Sequence, residues 1–185
     1  HQIRGPGNPD WCRQGSSNAY AQHYPLNRAA RHIAFYDPAD EEVELIDTCF
    51  NTHHLQFGFE DSERLYFSSV GPVVGWLDVE DYEQSGDAQA TQGWCPMIVD
   101  TNGDGRITEW VARNGELDPT KDKEMGGGWY GIVADPTQDN VVWAASGGVP
   151  GQIARLDLGN NPPSTCIAEY YQPPFENPDA PIQGY

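Results

Sequence analysis

From Arg31 onward the chain reads as short apolar runs separated by polar turns, the texture of strands rather than of helices. Residues 31–49, RHIAFYDPADEEVELIDTC, hold two such runs around a Pro-Ala-Asp-Glu turn and predict a hairpin. Residues 52–69, THHLQFGFEDSERLYFSS, predict a second pair of strands, and VVGWLD at 73–78 predicts another. The first thirty residues are rich in turn formers and show no sustained period, which predicts an irregular arm.

One strand-turn-strand unit occurs twice. HLQFGFEDSERLYFSS (54–69) lies without gaps over YGIVADPTQDNVVWAA (130–145), setting His54 opposite Tyr130 and His53 opposite Trp129. Each copy passes through a glycine-bearing turn into a closing strand, VVGWLD ending at Asp78 and GQIARLD ending at Asp157. HIAFYD, ending at Asp37, reads as an earlier closing strand. The three aspartates are 41 and 79 residues apart, one unit and then one unit plus an insertion of similar size. A repeat of roughly 40 residues built from short strands is the signature of propeller blades, because each small sheet must bury its faces against its neighbours.

The expected fold is therefore all-β, with propeller-like blades of four-stranded antiparallel sheet. Residues 1–30 form the arm, 31–78 a first blade region, and 79–127 an inserted loop subdomain. Residues 128–185 form a second blade region and the opening strand, STCIAEYYQPP, of the next. A sandwich of similar hairpins is the competing architecture. Two blades do not close a ring that usually needs at least four, so the expectation extends to a window on a longer polypeptide, ending in an interrupted connection, PPFENPDAPIQGY.

Twenty glycines and fifteen prolines in 185 residues argue against an all-helical protein, and no apolar run is long enough for a membrane helix. Twenty-eight acidic residues against ten basic ones give a formal charge of −18. Nucleic acid and anionic membrane surfaces are thereby repelled, whereas bound cations or a basic partner are favoured. Six Trp, nine Tyr and six Phe separate the chain from acidic disordered tails. Cys12, Cys49, Cys95 and Cys166 are far apart, without CxxC, haem or zinc spacing. Together with only two lysines, Lys121 and Lys123, they point to a secreted protein, extracellular or periplasmic, with up to two disulfides in any of three pairings. The chain starts at His1 without a leader pattern, so a leader is expected to have been removed or to lie outside the sequence.

Asp100-Thr101-Asn102-Gly103-Asp104-Gly105-Arg106-Ile107-Thr108 matches the first nine positions of an EF-hand-type calcium loop. Calcium needs a ring of hard oxygens, which alternating side chains at positions 1, 3 and 5 supply. A glycine at 6 allows the sharp turn, and a backbone carbonyl at 7 and a polar side chain at 9 add donors. The expected cofactor is Ca2+, a structural staple held by Asp100, Asn102, Asp104, the Arg106 carbonyl and Thr108. Position 12, where a bidentate glutamate completes such a cage, is Val111. Glu109, Glu116, Asp118 and Asp122 follow and are available to fold back. An Asx-rich turn without metal is the plainer reading.

His53 and His54 are the weak catalytic candidates. Adjacent strand residues point to opposite faces, so one of them would face a central channel, where a neutral imidazole serves as a base or metal ligand. Packing between blades is the alternative. No GxSxG elbow, phosphate-binding loop, HExxH or dinucleotide fingerprint occurs, and no cofactor-binding motif is present. Gly126, Gly127 and Gly128 read as a flexible return into the second blade. Asp37, Asp78 and Asp157 read as turn caps, and the runs Asp40–Glu42 and Glu80–Asp81 as solvated edges.

The runs DTCFNTHHLQF, VVGWLD, QGWCP, DTNGDG, DPTKD, GWYGI and GNNPP resemble secreted bacterial β-propeller proteins of largely uncharacterised function, over most of residues 9–176. The pattern GI..DP...NVVW...GQIARLD over 131–157 is more distantly similar to propellers of the streptogramin (virginiamycin B) lyase kind. The first resemblance implies fold and export. The second extends only to the grammar of the blades and implies no lyase chemistry.

Three functions fit this sequence. The leading one is a secreted, calcium-stabilised propeller segment with a binding or structural role. The second is part of a propeller enzyme, lyase or hydrolase, with a histidine at the channel mouth. The third is a subunit of an extracellular assembly, whose partner is another protein or the remaining blades.

Overall fold

A computed structural model describes residues 2–3, 7–29, 31–59, 63–126, 128–148 and 151–172. Residues 60–62, Gly127 and the stretch 173–185, which the sequence reading put in the second blade region, lie outside them. In the arm, α1 (Ala19–His23) starts at Asn18, whose side chain accepts from the Tyr20 and Ala21 amides. Strands β1 (Gln2–Ile3), β2 (Arg31–Asp37) and β3 (Glu42–Ile46) form one antiparallel sheet, with β2 and β3 paired as the expected hairpin. HIAFYD thus opens a hairpin instead of closing an earlier unit, because its partner is the EVELI run that follows.

The repeated unit becomes two four-stranded antiparallel meanders. The first contains β4 (Leu55–Phe57), β5 (Arg64–Ser68), β6 (Val73–Asp78) and β7 (Gln92–Pro96). Helix α2 (Val79–Ser85) connects β6 to β7 and stops at Gly86, whose left-handed φ of 65° suits a glycine. The second meander contains β11 (Trp129–Ala134), β12 (Val141–Ser146), β13 (Ile153–Asp157) and β14 (Ile167–Tyr171). Its sheet continues through β8 (Ile98–Val99), β10 (Asp122–Glu124) and β9 (Trp110–Val111).

The all-β expectation holds, and the aligned repeats occupy the first two strands of each meander. The fourth strands differ from the sequence reading. QGWCP, read as part of the insertion, is β7. All five of its residues are buried, so it lacks the alternation that marks a strand with one wet face. IAEYY, read as the start of a further unit, is β14, because it folds back antiparallel on β13.

In the first meander both faces of β5, β6 and β7 are covered, while β4 exposes Leu55 and Phe57. Tyr66, Val74 and Trp76 pack with Val142, Ala144, Leu156 and Ala168 of the second. Leu65, Phe67, Leu77 and Trp94 pack with Cys12, Ile33, Ile46 and Phe50 from the arm and hairpin. Two strand glycines permit this closeness: a Cβ on Gly75 would overlap the Phe50 ring, and one on Gly93 would overlap Trp76 and Tyr20. Two disulfides, Cys12–Cys49 and Cys95–Cys166, span Cα separations of 5.2 and 6.0 Å. The first ties the arm to the segment after β3, and the second ties the end of β7 to the start of β14. Such bonds persist in oxidising compartments. Among the described residues no helix is long and apolar enough to cross a membrane.

Candidate functional site

The calcium-type loop joins β8 to β9 across the start of β10. Strand β10 runs antiparallel to β8, with Lys123 opposite Val99, and parallel to β9, with Asp122 opposite Trp110. One step further along the β8 register, Asp122 falls opposite Asp100. Two bonds close the bracket: the Asp122 amide donates to the Glu109 carbonyl at 3.0 Å, and Thr101 Oγ1 donates to the Lys121 carbonyl at 2.8 Å. Asp122 therefore lies beneath the loop that runs from 100 to 109.

Within the loop, Asp100 accepts from the Gly103 and Gly105 amides, Asn102 from that of Asp104, and Asp104 from that of Arg106, at 2.6–2.9 Å. Gly103 and Gly105 take left-handed φ values of 80° and 77°. Ile107 is buried and anchors the loop. As they stand, no three His, Cys, Asp or Glu side chains among the described residues converge as metal ligands do. The loop carboxylates are turned instead onto loop amides.

Of the four acids following the loop, Glu109 pairs with Lys121 at 3.2 Å and Asp118 caps the Thr120 amide at 2.9 Å. Glu116 is exposed. Asp122 is 0% exposed, and neither of its carboxylate oxygens has a well-formed hydrogen bond. Burial pushes its carboxyl pKa up, and the nearby charges of Asp100 and Asp104 push the same way; the Thr108 and Thr101 amides only partly offset them. The loop also meets other parts of the chain. A cavity of about 490 Å³ beside it is lined by His23 of α1, by Arg106, Ile107 and Thr108, and by Ser164 and Thr165.

His53 and His54 do not point to opposite faces. They precede β4, where the chain wraps around Ser68: the His53 amide donates to the Ser68 carbonyl at 3.0 Å, and the Ser68 amide donates to the His54 carbonyl at 2.9 Å. Their rings stack at 4.8 Å, and Tyr130 lies 4.6 Å from His53 and 4.5 Å from His54. His53 is half-buried and His54 exposed. The three rings form a contact between the first strands of the two meanders.

The three aspartates read as turn caps divide by role. Asp37 caps the Ala39 amide at 2.7 Å and Asp157 the Gly159 amide at 2.9 Å. Asp78 instead takes a two-pronged bond from Arg64, at 2.7 and 3.2 Å, and makes no cap to α2. Arg64 also donates to Asn140 of the second meander at 2.8 Å and lies 5.1 Å over the Trp76 ring.

Sequence reasoning missed two surface features. A cleft of about 540 Å³ between the β2–β3 hairpin and α2 is lined by Asp37, Asp40, Glu42, Glu44 and Glu83 around Phe35 and Tyr82. The alternation of Asp40, Glu42 and Glu44 carried its signal. The Tyr82 hydroxyl donates to Glu44 at 2.7 Å, and burial followed by that bond holds its pKa up at about 12. The outer face of the second meander carries an apolar patch beside the Arg155–Glu169 ion pair: Val133, Trp143, Ala145 and Ile153 line a shallow hollow of about 250 Å³. No family model, curated protein or solved structure matches this chain.

Proposed function

We propose that the chain is a structural or binding module of a secreted protein, made of two propeller-type blades whose free apolar face receives another sheet. One observation carries this reading: the first strand of the second meander lies against the first two strands of the first, and a disulfide joins the ends of their fourth strands. His53 and His54, at the start of β4, touch Tyr130, at the start of β11, while Cys95 of β7 is bonded to the residue preceding β14. Blades around an axis stack in this order, and each then leaves one face for its neighbour. In this chain that face carries an apolar patch of Val133, Trp143 and Ile153, with Val133 46% exposed, next to the ion pair of Arg155 and Glu169. The propeller-enzyme alternative, of lyase or hydrolase type, requires His54 to address an open polar pocket; its ring rests on Tyr130 and His53 instead.

Sedimentation at micromolar to millimolar concentration tests the reading. The expected result is self-association through the free face, which Ile153→Lys combined with Val133→Glu abolishes without lowering the melting temperature. A wild-type chain that stays monomeric over the whole range would reject it.

A further inference from the structure

We infer that Asp122 is the missing carboxylate of the 100–108 loop, and that the two together form a calcium site. A buried carboxylate without hydrogen-bond partners is costly unless a cation or donor meets it. Asp122 comes close to such a group: it is fully buried at the head of β10, with no well-formed hydrogen bond to either oxygen and only the Thr101 and Thr108 amides nearby. The β8–β10 register sets it opposite Asp100, and the β9–β10 register sets it beside Trp110, so the loop arches over it from both sides. Bonds from Thr101 to Lys121 and from Asp122 to Glu109 hold the two ends of that arch.

The donor set suits calcium. It offers carboxylates from Asp100, Asp104 and Asp122, an amide oxygen from Asn102, the Arg106 carbonyl and the Thr108 hydroxyl, all hard oxygens. An oxygen that accepts one amide hydrogen retains a lone pair for a metal, so the existing loop bonds orient the ligands without exhausting them. Three like charges in one neighbourhood repel each other, and a divalent cation removes that repulsion. Val111 occupies the position of the usual twelfth-place glutamate because the chain makes an excursion over 112–121 and returns as β10, delivering its carboxylate from a separate strand. Bound calcium would thus hold β8, β9 and β10 together beside α1 and the 161–165 turn.

The test uses the intact, disulfide-bonded chain. Calcium chloride is titrated while thermal melting is followed, and terbium emission excited through tryptophan reads occupancy, with Trp110 as the nearest donor along the sheet. Affinity on the order of 10⁻⁴ to 10⁻³ M is expected for an extracellular module. At that affinity, 10 mM calcium raises the melting temperature by about 3 to 10 °C. Asp122→Asn should weaken binding at least tenfold, whereas Asp118→Asn should leave it unchanged. Should Asp122→Asn not fold, hydrogen exchange on the wild type decides: calcium must protect the amides of 122–124 together with those of the loop. Absence of one-to-one binding overturns the inference. Wild-type affinity in Asp122→Asn, or protection confined to 100–108, overturns the part assigned to Asp122.

Discussion

The rings of His54 and Tyr130, which the internal repeat places in equivalent positions, meet with their centres 4.5 Å apart. Equivalent residues touch when one copy of a unit lies beside the next in the same sense, so this contact records how the meanders stack. Aromatic pairing contributes about 0.5 to 1.5 kcal/mol beyond buried area. Replacing Tyr130 by Ala should therefore cost about 2 kcal/mol, and exposed His54 by Ala less than about 1. A double-mutant cycle in urea should return a coupling of about 0.5 kcal/mol or more; additivity would show that the contact carries no energy.

Arg64 joins three things at once: Asp78 on the next strand, the Trp76 ring and Asn140 of the other meander. Arg64 and Asp78 are each only 17% exposed. Asp78→Ala leaves the guanidinium half-buried without its partner and should destabilise the fold by about 3 kcal/mol. Arg64→Lys keeps the charge but loses the fork, and about half that loss is expected. Equilibrium denaturation measures both.

The Cys95–Cys166 bond closes 71 residues of sequence and joins the fourth strands of the two meanders. Loop-closure entropy makes its removal worth roughly 2 to 4 kcal/mol. Cys95→Ser with Cys166→Ser should lower the melting temperature and speed hydrogen exchange in β14 before β5. Equal acceleration in both strands would contradict a role at the junction.

Asp135 accepts from Trp143 Nε1 at 2.9 Å and from the Thr137 amide and hydroxyl at 2.8 and 2.7 Å. These bonds, the Trp143 bond foremost, hold its pKa down at about 2, against an ordinary 3.8. A carboxyl with a lowered native pKa stabilises the fold fully above its unfolded value, and that contribution disappears as pH falls from about 4 through 2. Melting temperature measured from pH 5 to 2 should fall less steeply in Asp135→Asn than in wild type.

Much of the fold was written locally. The hairpin over 31–46 and the strand pairs of the two repeats follow from alternation and turn residues, whose signals extend over a few neighbours. So does the calcium-type loop, because its first nine positions are contiguous. What lay beyond reach depended on distance in sequence. QGWCP shows no alternation because both its faces are covered, and IAEYY reveals its partner only once β13 is in place. His53 and His54 share one side because Ser68 bends the chain before β4 begins.

The cysteine pairing and the burial of Asp122 were decided in the same way. Spacing left three disulfide pairings open, and sheet stacking selected Cys12 with Cys49 and Cys95 with Cys166. Four acids followed the loop with equal claims. The β8–β10–β9 register turned one of them inward and left the others to other bonds or to solvent. By itself the sequence determined which segments extend, where they turn, and which oxygen-bearing side chains sit in one nine-residue loop, since these depend on propensity and short-range spacing. The tertiary structure alone decided which strands share a sheet, which cysteines meet and which carboxylate is buried, since each depends on two distant segments being brought to one place.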